Sequence, residues 1–383
     1  MRPSLTLVPL FAAVAQLLAC ANEPGPVDAS EPPETSGEDS TGDSTGDTGD
    51  GEPAPFAPPI GDDTSITPFD DAHVWFGEEN HREIDVAVEL PAAELAYESV
   101  TLTITLGCPN DKCDWWDRKG FLGLVRDPGT EQESIVEIAR FMTPYRVGAV
   151  HVIDVTELRP LLAGDVVMRV FIDTWVGPGH QNGDGWLFDA QFDFVGGAPT
   201  RMPIAAIPLW DYQTVEYGNP ALPIAEAVAP VAVEIPAEAD AVELRSIITG
   251  HGQGNLDNCA EFCPRNHGFL VGEQAFVREI WRDNCAETPV QGQQGTWQYP
   301  RAGWCPGAEV IPWVEAVGDA VVPGSTVSVT YDVESYENTC RPDSPNCSGC
   351  SLGTGCEYDG GSHTPPIYDI SAMLIAYRTL GEA

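Results

Sequence analysis

Val100-Thr101-Leu102-Thr103-Ile104-Thr105-Leu106 alternates without a break. Successive side chains of a strand point to opposite faces, so one face here is aliphatic and the other is threonine. The segment reads as a strand lying on a core. Similar runs occur at Val166–Trp175, Trp186–Val195, Val231–Ile235, Val242–Thr249, Thr326–Val333 and Ile370–Tyr377. In Val166–Trp175, Val170 and Ile172 share one face, and Phe171, Asp173 and Trp175 share the other. Gly and Pro clusters punctuate these runs. The best helical stretch is Val155–Ala163, and it is short. Many short strands between turn signals predict an all-β chain of β-sandwiches. A boundary between two of them is expected at Gly196-Gly197-Ala198-Pro199.

Bulk chemistry narrows the function. The 59 acids against 18 Lys plus Arg give a net charge of -41. Nucleic-acid binding needs cations to displace counterions from phosphates, so that class is disfavoured. At the N-terminus, Arg2 precedes the apolar run Leu5–Leu18, which is too short to span a bilayer and reads as an export signal. The run ends in Leu17-Leu18-Ala19-Cys20, which resembles a bacterial lipobox, so residues 1–19 are expected to be removed and Cys20 lipidated. Ala21 follows, rather than an Asp associated with inner-membrane retention, which points to the outer membrane or cell surface. From 21 to about 63 the chain is Pro, Gly, Ser, Thr and acids, without Lys or Arg. It cannot bury enough apolar surface to offset ordering entropy and reads as a self-repelling tether. Eleven cysteines less Cys20 leave an even number in an exported chain, for which disulfides are the default.

The sharpest chemistry lies in Cys108-Pro109-Asn110-Asp111-Lys112-Cys113-Asp114-Trp115-Trp116-Asp117-Arg118. A small Cys loop after the Val100–Leu106 strand would fix the start of an acidic, aromatic run. Indoles stack on sugar rings, Arg forms a rigid donor fork, and a carboxylate beside Trp is partly desolvated, which raises its pKa. The blander reading is a disulfide loop with aromatic core residues and a solvated Asp. Two further segments repeat the theme. Cys259-Ala260-Glu261-Phe262-Cys263-Pro264-Arg265-Asn266-His267 holds a carboxylate inside a tight Cys pair. Arg301-Ala302-Gly303-Trp304-Cys305-Pro306-Gly307 follows Cys285. Spacings such as Cys259-x3-Cys263-x3-His267, or Cys347-x2-Cys350-x5-Cys356 with His363, suit zinc, but export and an even Cys count favour disulfides. No metal or cofactor is expected.

Together with Arg140-Phe141-Met142-Thr143-Pro144-Tyr145 and Thr174-Trp175, these segments resemble the peptide:N-glycosidase F family in content and order, over roughly residues 68–383. The resemblance implies two tandem jelly-roll domains, 64–198 and 199–383, with a site between them. It implies cleavage of the amide between asparagine and the first N-acetylglucosamine of N-linked glycans, on glycoproteins or glycopeptides, by a monomer. The essential carboxylate would be Asp117, with Glu261 acting through a water and Asp173 as the third acid. Sugar contacts would come from Arg118, Trp175, Arg301 and Trp304. Two positions depart from the family. Asp173 stands where a Glu is expected, an arm shorter by about 1.3 Å, and His251 stands where a Trp is expected. The implied disulfides are Cys108–Cys113, Cys259–Cys263 and Cys285–Cys305. Cys340, Cys347, Cys350 and Cys356 lie in an insertion at about 337–366, and sequence does not choose their pairing. Two rival functions share these residues: a non-catalytic carbohydrate-binding adhesin, and a glycoside hydrolase using Asp117 and Glu261.

Overall fold

A computed structural model describes residues 57–252, 260–288, 290–338, 357–358, 361–362 and 365–380. The strands of the first half are β1 (Thr64–Phe76), β2 (Asn80–His81), β3 (Glu83–Leu90), β4 (Tyr97–Gly107), β5 (Lys119–Arg126), β6 (Ser134–Met142), β7 (Ala149–Asp154), β8 (Gly164–Ile172) and β9 (Trp186–Gly196). They form a five-stranded sheet, β2-β1-β9-β4-β7, and a four-stranded sheet, β3-β8-β5-β6. The second half contributes β10 (Arg201–Glu216), β11 (Val231–Glu234), β12 (Ala241–His251), β13 (Asn266–Val271), β14 (Gln274–Glu279), β15 (Trp313–Ala316), β16 (Thr326–Val333), β17 (Glu357–Tyr358), β18 (Gly361–Ser362) and β19 (Ile367–Thr379). Its sheets are β10-β19-β12-β15 and β11-β16-β13-β14, with β17 and β18 paired separately. Without β2, β17 and β18, the two halves have one wiring. The first strand pairs with the last, which pairs with the third, while the second pairs with the seventh. This double Greek key is the jelly roll.

The alternation of β4 works as its sequence implies. Val100, Leu102, Ile104 and Leu106 are buried, while the threonines between them are half-exposed. Their core also takes Phe188, Phe192 and Phe194 from β9. β8 follows the same rule, with Val170 and Ile172 buried. The strand stops at Ile172, short of the expected Trp175, although Asp173 N–H still donates to Lys119 O at 2.9 Å.

The predicted helix at Val155–Ala163 is not one. Only a single 3₁₀ turn, Thr156–Leu158, forms there. Pro160 carries no N–H to donate back to Thr156, and the β-branched Val155 and Thr156 open the segment. The Arg159 side chain then takes over the capping, donating to the carbonyls of Leu162 and Ala92.

β19 is buried along nearly its whole length, on both faces. Tyr368, Ile370, Ala372, Leu374 and Ala376 pack into the second sandwich. Met373, Ile375 and Tyr377 point the other way and join the core of the first. The sheet that carries β19 is therefore shared, and the seam between the sandwiches runs along its outer face. Toward the start of β19 that face turns polar, with Asp369 and Ser371. Across the seam, Glu137 and Arg140 of β6 are also buried. Arg140 forms a two-pronged pair with Glu137 at 2.7 Å and donates to Asp369 O and Thr249 Oγ1, while Ser371 Oγ donates to Glu137.

Candidate active site

At the polar end of the seam lies a groove lined by Asp117, Arg118, Lys119, Met142, Asp173, His251, Glu261 and Trp304, with Gly252, Pro365 and Ile367. Asp117 follows the loop closed by the Cys108–Cys113 disulfide. Buried Asp114 braces that loop. Its carboxylate accepts Arg118 Nε at 2.7 Å, Thr174 Oγ1 at 2.8 Å and Trp116 N–H at 3.1 Å. Gly183, at φ 127°, lets the loop before β9 pass over it, because a Cβ there would sit 2.5 Å from Cys113 O.

Glu261 and Trp304 come from the second sandwich, stitched together by backbone. Ala302 N–H donates to Glu261 O at 2.9 Å, and Gly250 N–H to Ala302 O at 3.0 Å. The Cys285–Cys305 disulfide anchors the same turn. Trp304 Nε1 donates to Gly250 O, and its ring lies against His251 at 5.5 Å. Cys263 is disulfide-bonded. Cys259, Cys340, Cys347, Cys350, Cys356 and His363 lie outside the described residues, as do the export signal, Cys20 and most of the acidic segment. Among the described residues no cluster of His, Cys, Asp and Glu is placed to hold a metal.

Arg301 joins the two acids. Its guanidinium lies 3.8 Å from Asp117 and 3.4 Å from Glu261. The side chain is only 2% exposed and is pinned by the carbonyls of Thr296 and Tyr299. Burial raises the Asp117 pKa, opposed by Arg301, a Tyr145 hydrogen bond and Arg118. Glu261 is raised to about 7, by burial first and by Asp117 second, with Arg301 opposing. Two desolvated carboxylates that repel each other hold a proton near neutral pH, which supplies an acid and a base in one pair.

The third acid is held from the rim. Asp173 accepts Arg82 Nη1 at 3.0 Å, and Arg82 lies over the rings of Trp175 and Phe76 at 4.5 and 4.9 Å. Trp175 does not line the groove. It stands beside it, 52% exposed. Deeper down, Lys119 Nζ donates to Asp369 at 2.7 Å, and His251 Nε2 lies 3.4 Å from the same carboxylate. Burial lowers the His251 pKa to about 3, so the ring is neutral. Sequence reasoning passed over Asp114, Tyr145, Arg82, Lys119 and Asp369. Tyr145 closes a quoted motif, and Asp369 interrupts an apolar run, so both carried a signal. Arg82 carried none.

Comparison with known proteins bears on this arrangement. A family described as Peptide-N-glycosidase F, N terminal, matches residues 120–183, and Peptide-N-glycosidase F, C terminal, matches residues 221–346. The peptide-N(4)-(N-acetyl-beta-D-glucosaminyl)asparagine amidase F of Elizabethkingia miricola is 28% identical over 298 residues, 73% of this chain and 80% of that one. Across both halves this chain is similar to the peptide-N-glycosidase F family. The solved structure of a recombinant peptide-N-glycosidase F superposes with a TM-score of 0.66 at 26% identity, over 84% of this chain and 98% of its own. That of the Flavobacterium meningosepticum glycosylasparaginase gives 0.66 and 26%, over 83% and 97%. PNGF-II, at 14% identity and TM-score 0.57, shares the fold.

Proposed function

We propose that the chain hydrolyses the amide between an asparagine side chain and the first N-acetylglucosamine of N-linked glycans. One observation carries this reading. A carboxylate from each sandwich meets a single buried guanidinium at the head of one groove, and both acids are raised toward neutral pH. Amides resist hydrolysis because the carbonyl is weakly electrophilic and nitrogen leaves badly, so acid and base must act together. Asp117 serves the scissile linkage as its principal acid/base group, relaying a proton from the attacking water to the departing nitrogen. Glu261 positions and polarises that water. Arg301 acts through the two carboxylates, limiting their repulsion and fixing their spacing. Asp173, held by Arg82, and Arg118, held by Asp114, bind sugar hydroxyls. Trp175 and Trp304 offer ring faces at the rim and the floor. Water adds to the carbonyl and the C–N bond breaks, leaving an aspartate in the peptide and a glycosylamine that loses ammonia in water.

Incubation with an N-glycopeptide, followed by mass, tests the reading. Release of the whole glycan with Asn converted to Asp is expected. Cleavage between the two core sugars would replace it with a glycosidase, and tight binding without product with an adhesin. Because one chain supplies every wall of the groove, we infer that a monomer suffices. Export and tethering through Cys20 rest on the Arg2, Leu5–Leu18 and Leu17-Leu18-Ala19-Cys20 pattern. Loss of fatty-acid labelling in Cys20→Ala is the expected result, and retained labelling would refute the anchor.

A further inference from the structure

A second cavity adjoins the groove and shares two of its residues, Lys119 and Asp173. Beyond that shared wall it is lined by three aromatic rings, by Ile135 and by the ion-paired Glu83 and Arg169, 3.6 Å apart. Phe121 lies 5.3 Å from Phe171 and 4.7 Å from Tyr212, ring centroid to centroid, and all three rings line the cavity together with Thr214. The rings come from β5, β8 and β10, so the cavity opens where the first sandwich meets the second. They are stiffly held. The Arg140 guanidinium lies over Tyr212 at 5.3 Å, and Thr214 Oγ1 donates to Asp369. The shared wall is polar and fixed, with Lys119 bound to Asp369 and Asp173 to Arg82.

We infer that this cavity is a further sugar subsite, for a pyranose ring of the same glycan lying beyond the residue at Asp117. The inference rests on the proposed deglycosylating activity. A pyranose has one face of C–H groups and a rim of hydroxyls. The ring cluster offers an apolar surface to that face, at low entropic cost because its rings are already fixed. Lys119 and Asp173 offer a donor and an acceptor to the rim. Adjacency decides the occupant: Lys119 and Asp173 line both the groove and the cavity, so the cavity lies next to a glycan seated at Asp117 and Asp173. Phe171 is the partly exposed ring on the strand that ends one residue before Asp173, so it sets how a sugar beyond that acid is met.

Phe171→Ala separates this subsite from the catalytic groove. Two glycopeptides with one peptide sequence are compared, one bearing a branched, mannose-containing glycan and one bearing only the two core N-acetylglucosamines. For the long glycan, KM is expected to rise about 10-fold in Phe171→Ala, which is about 1.4 kcal/mol. For the short one, KM and kcat should stay within about twofold. Phe171→Trp, which restores a ring, should recover the long-glycan KM. Equal losses on both substrates, or no loss on either, would overturn the subsite. Calorimetric titration of the wild type and Phe171→Ala with the free branched glycan and with free chitobiose gives a readout independent of turnover. Selective weakening of the branched glycan is expected even if the wild type releases nothing, in which case the activity fails and the subsite stands. Unchanged affinity for both sugars overturns the subsite alone.

Discussion

The two faces of β19 show what different neighbours ask of one strand. Its inward face is Tyr368, Ile370, Ala372, Leu374 and Ala376, all within the second core. Its seam face runs from Asp369 and Ser371 to Met373, Ile375 and Tyr377. Burial is equally complete on both, so burial alone does not set polarity. The inward face contributes to stability through area removed from water. The polar part of the seam face answers Arg140, Glu137 and Lys119, whose charges need partners once water is excluded. Such a seam is a weak source of net stability, but it holds Lys119 and His251 at fixed places in the wall of the groove.

Breaking this contrast gives a graded set of outcomes. Asp117→Asn should slow glycan release by up to about 10⁴-fold, near 5 kcal/mol of barrier, with no loss of melting temperature. Full retained activity would remove Asp117 from the mechanism. Glu137→Gln leaves Arg140 buried without its counter-charge. It should cost about 4 kcal/mol in urea unfolding and broaden into a loss of activity as the seam loosens. Leu102→Ala, deep in the first core, should cost about 3 kcal/mol while kcat of the folded fraction holds. An equal fall in kcat would mean that the cores, too, set the groove.

The last effect depends on pH. The Glu261 pKa rises from 4.5 unfolded to about 7 folded, so its native carboxylate is disfavoured. Stability associated with this group is complete below pH 4.5 and is lost as pH rises through 7. Glu261→Gln should therefore match the wild type near pH 4 and exceed it by about 3 kcal/mol at pH 8, in urea curves taken across that range. The same variant should remove the inflection in the activity profile near pH 7. A stability gain that is equal at pH 4 and pH 8 would contradict the raised pKa.

Much of the fold was legible because period-two patterning is local. Val100–Leu106 states its own geometry, and its strand lies where the pattern put it. The helix expected at Val155–Ala163 shrinks to one 3₁₀ turn because Pro160 interrupts it. In the groove, the motif residues Asp117, Arg118, Glu261 and Trp304 come together, each marked by a nearby cysteine. The supports were less visible. Arg82 meets Asp173 across 91 positions, and Lys119 meets Asp369 across 250. Such pairs exist only through topology, and nothing beside Arg82 in sequence announces its partner. Asp369 did interrupt an apolar run, and an acid there marks the face of a strand that packs against another polar surface.

β19 also sets a clock. It lies between β10 and β12 and closes the second sandwich, and three of its side chains complete the first. As the chain is made from its N-terminus, the strands that flank it appear long before it does. The shared sheet stays open, and the groove beside it unformed, until β19 has joined β10 and β12. An enzyme built this way stays silent through its own synthesis and becomes competent only once that strand has docked.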